Sequence, residues 1–562
     1  MISPWVSLPT PLASIAGGEF NNFAQLSKED PKKLQGYVDY FADFMGTPRL
    51  CHNVGLLKIA SYLIKHCASP IDICYLDLFA EAVIGKEHML CYPVYDYKDG
   101  IVIIRYGITW DKAIKRIIDY NPDVVGISCL YSFQHNDALN AARCVKEAGK
   151  LLVKDIPVVV GGVHPSFLDE YFAKKPEIDI VVRGEGEATF LEVVQKLSQS
   201  QSLDGVKGIT YFKDKVLHKN EDRPFLHPKD IPVMKRDLLT RINGELALYV
   251  YGSWNQGPTN KRFDTIERSR GCYSSSKICR NCASGRLFGR HRSIPVEQVI
   301  SEIEELIANG VEVISDEADQ ILLPTKKFLE YCQILIDKGI SERVTFQTTN
   351  GMAIKLLKEM GEEGWELMVK AGYTDLTFAV DGSPEYVKRV LKKPNDVEFT
   401  KQILTGFRKI SKKLNKPVIL RVFVMLGGPG SKPEDLDGNY NFIKDLTESG
   451  LVDDTIPMIA TPITGSEFFS DTMNLITASL KEGSAKEKLR VSLSEGAIDY
   501  LIQGFMTDGE EGIYRCFEEF RIWDKFRYSI PIFQELYGLD PNMVKKMAYD
   551  ISKLSKFNFR IG

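Results

Sequence analysis

The sequence predicts an α/β protein: an N-terminal doubly wound parallel sheet, then a partial (β/α)6 barrel, then a C-terminal helical cap. Short β-branched runs alternate with helix-period segments twice, once over residues 50–212 and again over 263–470. Residues 213–262 between them are irregular and carry Pro224, Pro228 and Pro232, while 471–562 lose the alternation. The expected organisation is therefore 1–212, a linker 213–262, a barrel 263–470 and a cap 471–562.

The composition narrows the class. With 562 residues, 44% hydrophobic and 26% charged, the chain has a globular balance and a soft prior of three or four domains. Lys+Arg 71 against Asp+Glu 75 gives a net charge of −4, so no global positive field draws it to nucleic acid or an anionic membrane. No apolar run approaches the ~20 residues of a membrane helix. MISPWVSLPTPL lacks the basic and long apolar regions of a secretory signal. Eleven cysteines, an odd count, then read as the thiols of a reduced, cytoplasmic chain.

In the first part the strand candidates are 72–78, 123–128, 157–162, 179–184 and 208–212, with a further strand near Trp5–Leu8 expected in the same sheet. Segments 55–65, 111–120, 136–149 and 188–197 repeat apolar residues at three- and four-residue steps and read as helices. Runs apolar on both faces argue a parallel, covered sheet, whose ligands bind beyond the carboxyl ends of the strands. Three loops fall at that edge: SCLYSFQHN, GGVHP and GEGEAT. Gly161, Gly162, Gly184 and Gly186 let backbone approach a large ligand, yet no G-x-G-x-x-G fingerprint for a dinucleotide is present.

In the second part the strand candidates are 263–269, 311–316, 343–350, 375–381, 418–426 and 454–460. The clearest helix between them is 295–310, with Val296, Val299, Ile300, Ile303, Leu306 and Ile307 on one stripe. Six β/α units are too few for an eight-fold barrel, and functional residues are expected at the carboxyl ends of the strands. Directly after the first strand comes RSRGCYSSSKICRNCASG, with Cys272, Cys279 and Cys282 inside eleven residues. That spacing leaves three readings: an iron–sulfur cluster, a zinc site with His291 as fourth ligand, or unrelated core cysteines. A loop rich in Ser, Arg and Lys is a poor core. The eight scattered cysteines read as small buried hydrophobes. In 471–562 the aromatic residues Tyr514, Phe517, Phe520, Trp523, Phe526, Phe533 and Tyr537 read mainly as core.

A cysteine triad after the first barrel strand resembles the radical S-adenosylmethionine (SAM) superfamily, whose usual signature is Cys-x3-Cys-x2-Cys. More narrowly, residues 45–470 resemble the cobalamin-dependent radical SAM enzymes. The resemblance rests on NVGLLKIASYL, PDVVGISCLYS, VVVGGVHP and VVRGEGEATFLEV in the first part. ERSRGC, RSIPVEQVISEI, FAVDGSPEYVKRVLKK, MLGGPGSKPEDL and TPITGSEF carry it in the second. The chain departs from the pattern at Cys272-x6-Cys279-x2-Cys282, whose first gap is three residues wider.

The resemblance implies a [4Fe-4S] cluster on Cys272, Cys279 and Cys282, with SAM on the iron that lacks a thiolate. It implies SAM contacts at Ser315, Asp316 and Glu317, at Thr348 and Asn350, and at Asp381 and Arg421, the arginine reaching a carboxylate; Glu317 or Asp319 is alternatively a cap for the next segment. It implies cobalamin contacts at Ser128, Cys129, Leu130, Tyr131, Ser132 and Gln134, at Gly161, Gly162, Val163 and His164, and at Gly184, Glu185, Gly186 and Glu187. No Asp-x-His-x-x-Gly stretch is present, so neither His135 nor His164 is expected on cobalt.

The implied activity is methyl transfer from SAM, through methylcobalamin, to an unactivated carbon. The substrate is either a small metabolite or a residue of a protein such as methyl-coenzyme M reductase. A ferredoxin- or flavodoxin-type electron donor and an anaerobic setting go with it. Two alternatives stay open: a cobalamin-dependent radical cyclase or rearranging enzyme, and a non-enzymatic cobalamin-binding regulator with a zinc loop.

Overall fold

The computed structural model describes residues 1–3, 6–11, 53–84, 92–96, 101–239, 261–272 and 279–556. Its contacts divide the chain into two units: 1–248 with 482–526, and 249–481 with 527–562.

The first unit contains β1 (Ile2–Ser3), β2 (Val6–Pro11), β3 (Leu76–Asp77), β4 (Tyr92–Asp96), β5 (Ile101–Tyr106), β6 (Val125–Ser128), β7 (Val158–Gly161), β8 (Ile180–Val182), β9 (Ile209–Lys213) and β10 (Val216–Lys219). Its main sheet runs β10-β9-β8-β7-β6-β1-β3. From β8 to β3 every pairing is parallel. Counted in chain order these five strands lie 2-1-3-4-5, the doubly wound order whose switch point falls between β1 and β6. Val125, Ile127, Val158, Val160, Ile180 and Val181 are all buried, as expected of strands covered on both faces. Helices Val54–His66, Trp110–Tyr120, His135–Leu152 and Gly186–Ser198 supply the cover.

Two expectations need correction. The strand expected near Trp5–Leu8 does not join this sheet: the short β1 takes that place, while β2 pairs antiparallel with β5 in a separate β2-β5-β4 sheet. The strand expected at 208–212 is antiparallel, because β9 and β10 form a hairpin at the sheet edge rather than another crossover unit.

The second unit contains β11 (Phe263–Ile266), β12 (Ser269–Arg270), β13 (Arg292–Ser293), β14 (Val313–Asp316), β15 (Thr345–Thr348), β16 (Tyr373–Asp381), β17 (Ile419–Leu426) and β18 (Asp454–Ile459). Six of these pair in parallel as β11-β14-β15-β16-β17-β18, each joined to the next by helical segments. β12 and β13 make a small antiparallel ribbon beside the first strand.

The expected single cap over 471–562 is divided. Helices Glu495–Asp508 and Glu510–Glu519 and the turn Ile522–Lys525 belong to the first unit, while Pro541–Ser552 belongs to the second. The last helix is fastened beside β18, where Thr455 Oγ1 donates to the Ile551 carbonyl at 2.7 Å. Tyr514, Phe517, Trp523, Phe526, Phe533 and Tyr537 are all buried.

Candidate functional site

The cysteine loop starts at the carboxyl end of β11. Cys272 is held in the β12–β13 ribbon: its amide donates to the Gly289 carbonyl at 3.4 Å, and the His291 amide donates to its carbonyl at 3.0 Å. Gly271 has φ +79°, and a Cβ there would lie 2.7 Å from the Arg290 carbonyl, so this approach requires glycine. The Gly271 amide donates to Asp319 Oδ2 at 2.8 Å, tying the ribbon to the loop after β14. Residues 273–278 lie outside the described ones.

The chain re-enters at Cys279, half-buried, and reaches Cys282, exposed, whose sulfur accepts from the Ser284 amide at 3.4 Å. Burial pushes the Cys279 thiol up to about 12; the Lys393 ammonium opposes this, and the neighbouring Cys282 and Cys272 add to it. The three thiols thus lie within electrostatic reach of one another. Among the described residues, no three His, Cys, Asp or Glu side chains converge on one point for a metal ion. His291, the expected fourth zinc ligand, uses its Nε2 on Ser293 Oγ at 3.0 Å. A four-iron cluster spreads its thiolates over separate irons, so a three-thiol set at one loop suits it better than a single zinc ion.

In the first unit the three glycine-bearing loops meet beyond β6, β7 and β8. Gln134 Oε1 accepts from the amides of Leu130 and Tyr131 at 2.9 and 3.1 Å, closing the loop after β6. Leu130 and Tyr131 remain 38% and 43% exposed, whereas Cys129 and Ser132 are buried. Asn53 Nδ2 donates to Ser128 Oγ at 2.9 Å. Gly162 has φ +123°, and a Cβ there would sit 2.3 Å from the Cys129 carbonyl, so this glycine fits loop against loop. Gly186 likewise packs its helix against Ile59 rather than opening a ligand approach; Gly184, with nothing within 4 Å of a Cβ, is open. Ser166 donates to the Gly162 carbonyl at 2.6 Å and accepts from the Gly184 amide at 3.0 Å, joining the second and third loops.

Two family models match along the chain: the B12 binding domain over residues 94–194 and the radical SAM superfamily over 266–443. One chain thus carries a match to the B12 binding domain followed by a match to the radical SAM superfamily. It is 26% identical over 489 residues to a cytidylyl-2-hydroxyethylphosphonate methyltransferase of Streptomyces wedmorensis, covering 83% of this chain and 84% of that one. It is 30% identical over 304 residues to an uncharacterized methyltransferase of Pyrococcus horikoshii, covering 52% and 58%. Its fold is similar to the cobalamin-dependent S-adenosylmethionine radical enzyme OxsB, solved with aqua-cobalamin and S-adenosylmethionine bound, at TM-score 0.57 and 15% identity over 91% of this chain and 77% of that one.

In the second unit, several residues expected to meet SAM are held by the barrel wall. Arg421, expected to reach a ligand carboxylate, grips Asp375 at 2.7 and 3.1 Å and also Asp454, entirely inside the sheet. Asp316 accepts from Arg268 Nε at 3.0 Å and Tyr373 Oη at 3.1 Å, and Thr348 Oγ1 accepts from the Thr377 amide at 2.7 Å. Ser315, Glu317 and Asn350 gather at the ends of β14 and β15. Ser315 Oγ donates to Glu317 Oε1 at 2.6 Å, and Asn350 Nδ2 donates to the Glu317 and Ala318 carbonyls. Burial raises the Glu317 carboxyl above its usual range, partly opposed by the Ser315 and Thr349 hydroxyls.

Asp381, at the end of β16, pairs with Lys393 at 2.7 Å. Lys393 was not anticipated. Burial works against its charge, but Asp381 and the thiols Cys279 and Cys282 outweigh that and raise its pKa. Its only sequence signal is the basic run that follows the Asp381 strand.

In the first unit, His135 and His164 are both fully buried and face each other, Nδ1 to Nε2, at 2.9 Å. His135 Nε2 lies 3.2 Å from Glu518, which also accepts from Tyr171 at 2.9 Å and pairs with Lys175 at 2.6 Å. Burial alone would raise Glu518, but the His135 hydrogen bond and the charges beside it hold the carboxyl at about 2. An ionised Glu518 fixes the tautomers: His135 Nε2–H donates to Glu518, and His164 Nε2–H donates to His135 Nδ1. Trp523 stacks on His135 with ring centroids 5.3 Å apart. Glu518 and Trp523 come from the segment expected to be barrel cap, so sequence spacing gave no sign of this cluster.

Proposed function

We propose that the protein is a cobalamin-dependent radical SAM methyltransferase that transfers a methyl group from SAM, by way of cobalamin, to an unactivated carbon. The observation that carries this is a three-thiol loop at the carboxyl end of the first strand of a six-stranded parallel barrel, in one chain with a 2-1-3-4-5 sheet. When bound, the cluster with SAM supplies radical chemistry and cobalamin supplies the methyl carrier; the protein contributes position and exclusion of water.

Cys272, Cys279 and Cys282 hold the cluster. Ser315, Glu317, Asn350 and Asp381 with Lys393 are the polar groups at the strand ends placed to orient SAM, and Asp316, Thr348 and Arg421 are the frame behind them. The loops Ser128–Gln134, Gly161–His164 and Gly184–Glu187 receive cobalamin, with Leu130 and Tyr131 as the contacting side chains of the first. His135 uses both ring nitrogens within the His135–His164–Glu518 chain and both imidazoles are buried, which supports cobalamin binding without a protein histidine.

Methyl transfer is favoured over cyclisation because the relative aligned with 83% of the chain is named a methyltransferase. That relative is named for a small nucleotide-linked phosphonate, which favours a small molecule over a protein residue as substrate here. The electron donor is a ferredoxin- or flavodoxin-type protein. Among the described residues no helix is long and apolar enough to cross a membrane.

Anaerobic purification and reconstitution test the reading. About four iron and four sulfide per chain are expected. With methyl-labelled SAM, cobalamin, reductant and candidate substrates, the product gains a labelled methyl group. One zinc with no iron, or a product of unchanged carbon count, overturns it.

A further inference from the structure

We infer that Arg280, inside the Cys279–Cys282 turn, is a positioning residue that anchors this turn to the ends of the last three barrel strands. Its amide donates to the Leu391 carbonyl at 3.3 Å, and its own carbonyl accepts from the Phe468 amide at 2.9 Å. Its guanidinium donates to Glu467 at 2.8 Å, to Asp471 at 2.5 Å, and to the carbonyls of Val390 and Pro429 at 2.7 and 3.2 Å. The same guanidinium lies 5.1 Å over the Phe468 ring.

The partners come from three different places: Val390 and Leu391 follow β16, Pro429 follows β17, and Glu467, Phe468 and Asp471 follow β18. Arginine suits the position because its planar fork serves carboxylates and carbonyls in several directions at once, which an ammonium cannot. The first cysteine is secured separately, by the β12–β13 ribbon and Asp319. With each end fixed on its own, the position of Cys279 and Cys282 does not depend on the length of the chain between them. A first gap three residues wider than the family's usual one is then tolerated without moving either end.

The inference rests on the cluster reading above, so its test is read on cluster-free protein. Under anaerobic, reducing conditions the alkylation rate of each cysteine is followed by peptide mass spectrometry in wild type, Arg280→Met and the pair Glu467→Gln/Asp471→Asn. Cys279 is expected to react about tenfold faster in both variants, as a local closure held by charge-assisted hydrogen bonds is released. Exposed Cys282 changes little, and buried Cys332 stays protected. Arg280→Lys recovers part of the protection. Cys279 reactivity equal to wild type in Arg280→Met overturns the inference, whatever the iron content. If Cys332 also reacts, that variant has unfolded and the carboxylate pair decides by the same contrast. A wild type that takes up no iron defeats the cluster reading and leaves the anchor to be judged on alkylation alone. Where wild type loads iron, a fall of about twofold or more in iron per chain is expected for Arg280→Met.

Discussion

Replacing Arg421 by Met separates a structural role from a ligand-binding one. The guanidinium is 1% exposed and staples three adjacent parallel strands, gripping Asp375 of β16 in two-pronged fashion and Asp454 of β18 from its place on β17. Methionine fills much of the same volume but leaves two buried carboxylates without their cation. Losing one partner of a buried ion pair costs about 3–5 kcal/mol. A unit of this size shifts its melting temperature by roughly 2–4 °C per kcal/mol, so a fall of about 6–20 °C is expected. Differential scanning calorimetry of cluster-free protein measures it, and SAM titration of the reconstituted variant at low temperature gives the second readout. Arg421→Met combined with Asp375→Asn and Asp454→Asn should regain much of the loss, because no buried charge is then stranded. The reasoning fails if Arg421→Met melts within about 2 °C of wild type. It fails equally if SAM affinity collapses while the melt is unchanged, since that pattern belongs to an arginine that touches ligand.

Alanine at Cys272, Cys279 or Cys282 should each abolish the absorbance and paramagnetic signal of the reconstituted cluster, while alanine at Cys332 leaves them; retention of a full signal in any of the three removes that cysteine from the ligand set. Gly162→Ala forces a side chain into a positive-φ position against the Cys129 carbonyl, with strain of about 1–3 kcal/mol before the clash is counted; urea unfolding should show the loss, and an unchanged midpoint would contradict the loop-on-loop contact. Burial holds His135 and His164 neutral, His164 well below the usual imidazole range, with Glu518, Lys175 and Asp524 as the charges around His135. Because the unfolded imidazoles protonate near 6.5, this unit keeps its full stability above that pH. It loses up to about 1.4 kcal/mol per pH unit through His164 as pH falls below that value, with a further loss through His135. Trp523 fluorescence in urea between pH 8 and 5 tests this, and a flat profile would sink it.

The barrel was legible because each of its six strands is a short β-branched run followed by an amphipathic segment, and the observed strands Phe263–Ile266 through Asp454–Ile459 lie within the expected ranges or extend them by two residues at Tyr373. The cysteine loop was legible as spacing alone. Its anchors were not, because Arg280, Glu467 and Asp471 are brought together only by closure of the parallel sheet. Polarity at a strand end also proved ambiguous: Arg421 and Asn350 look alike in sequence, yet one is locked within the wall and the other lies at the strand ends. Aromatic periodicity identified Trp523 and Phe517 as core residues. Periodicity reports that a face is buried and not which partner buries it, so the division of the C-terminal segment between two units could not be read.

That division has a consequence for how the protein is made. The chain crosses from one unit to the other after Leu248, Lys481 and Phe526. The buried cluster around His135 and His164 therefore lacks Glu518 and Trp523 until synthesis has passed the barrel strands and reached residue 523. Vectorial synthesis, which usually lets an N-terminal domain finish early, here leaves the first unit unfinished through translation of the entire barrel. The order in which the two halves are completed is written into chain connectivity: each is built from two stretches of chain separated by a stretch of the other.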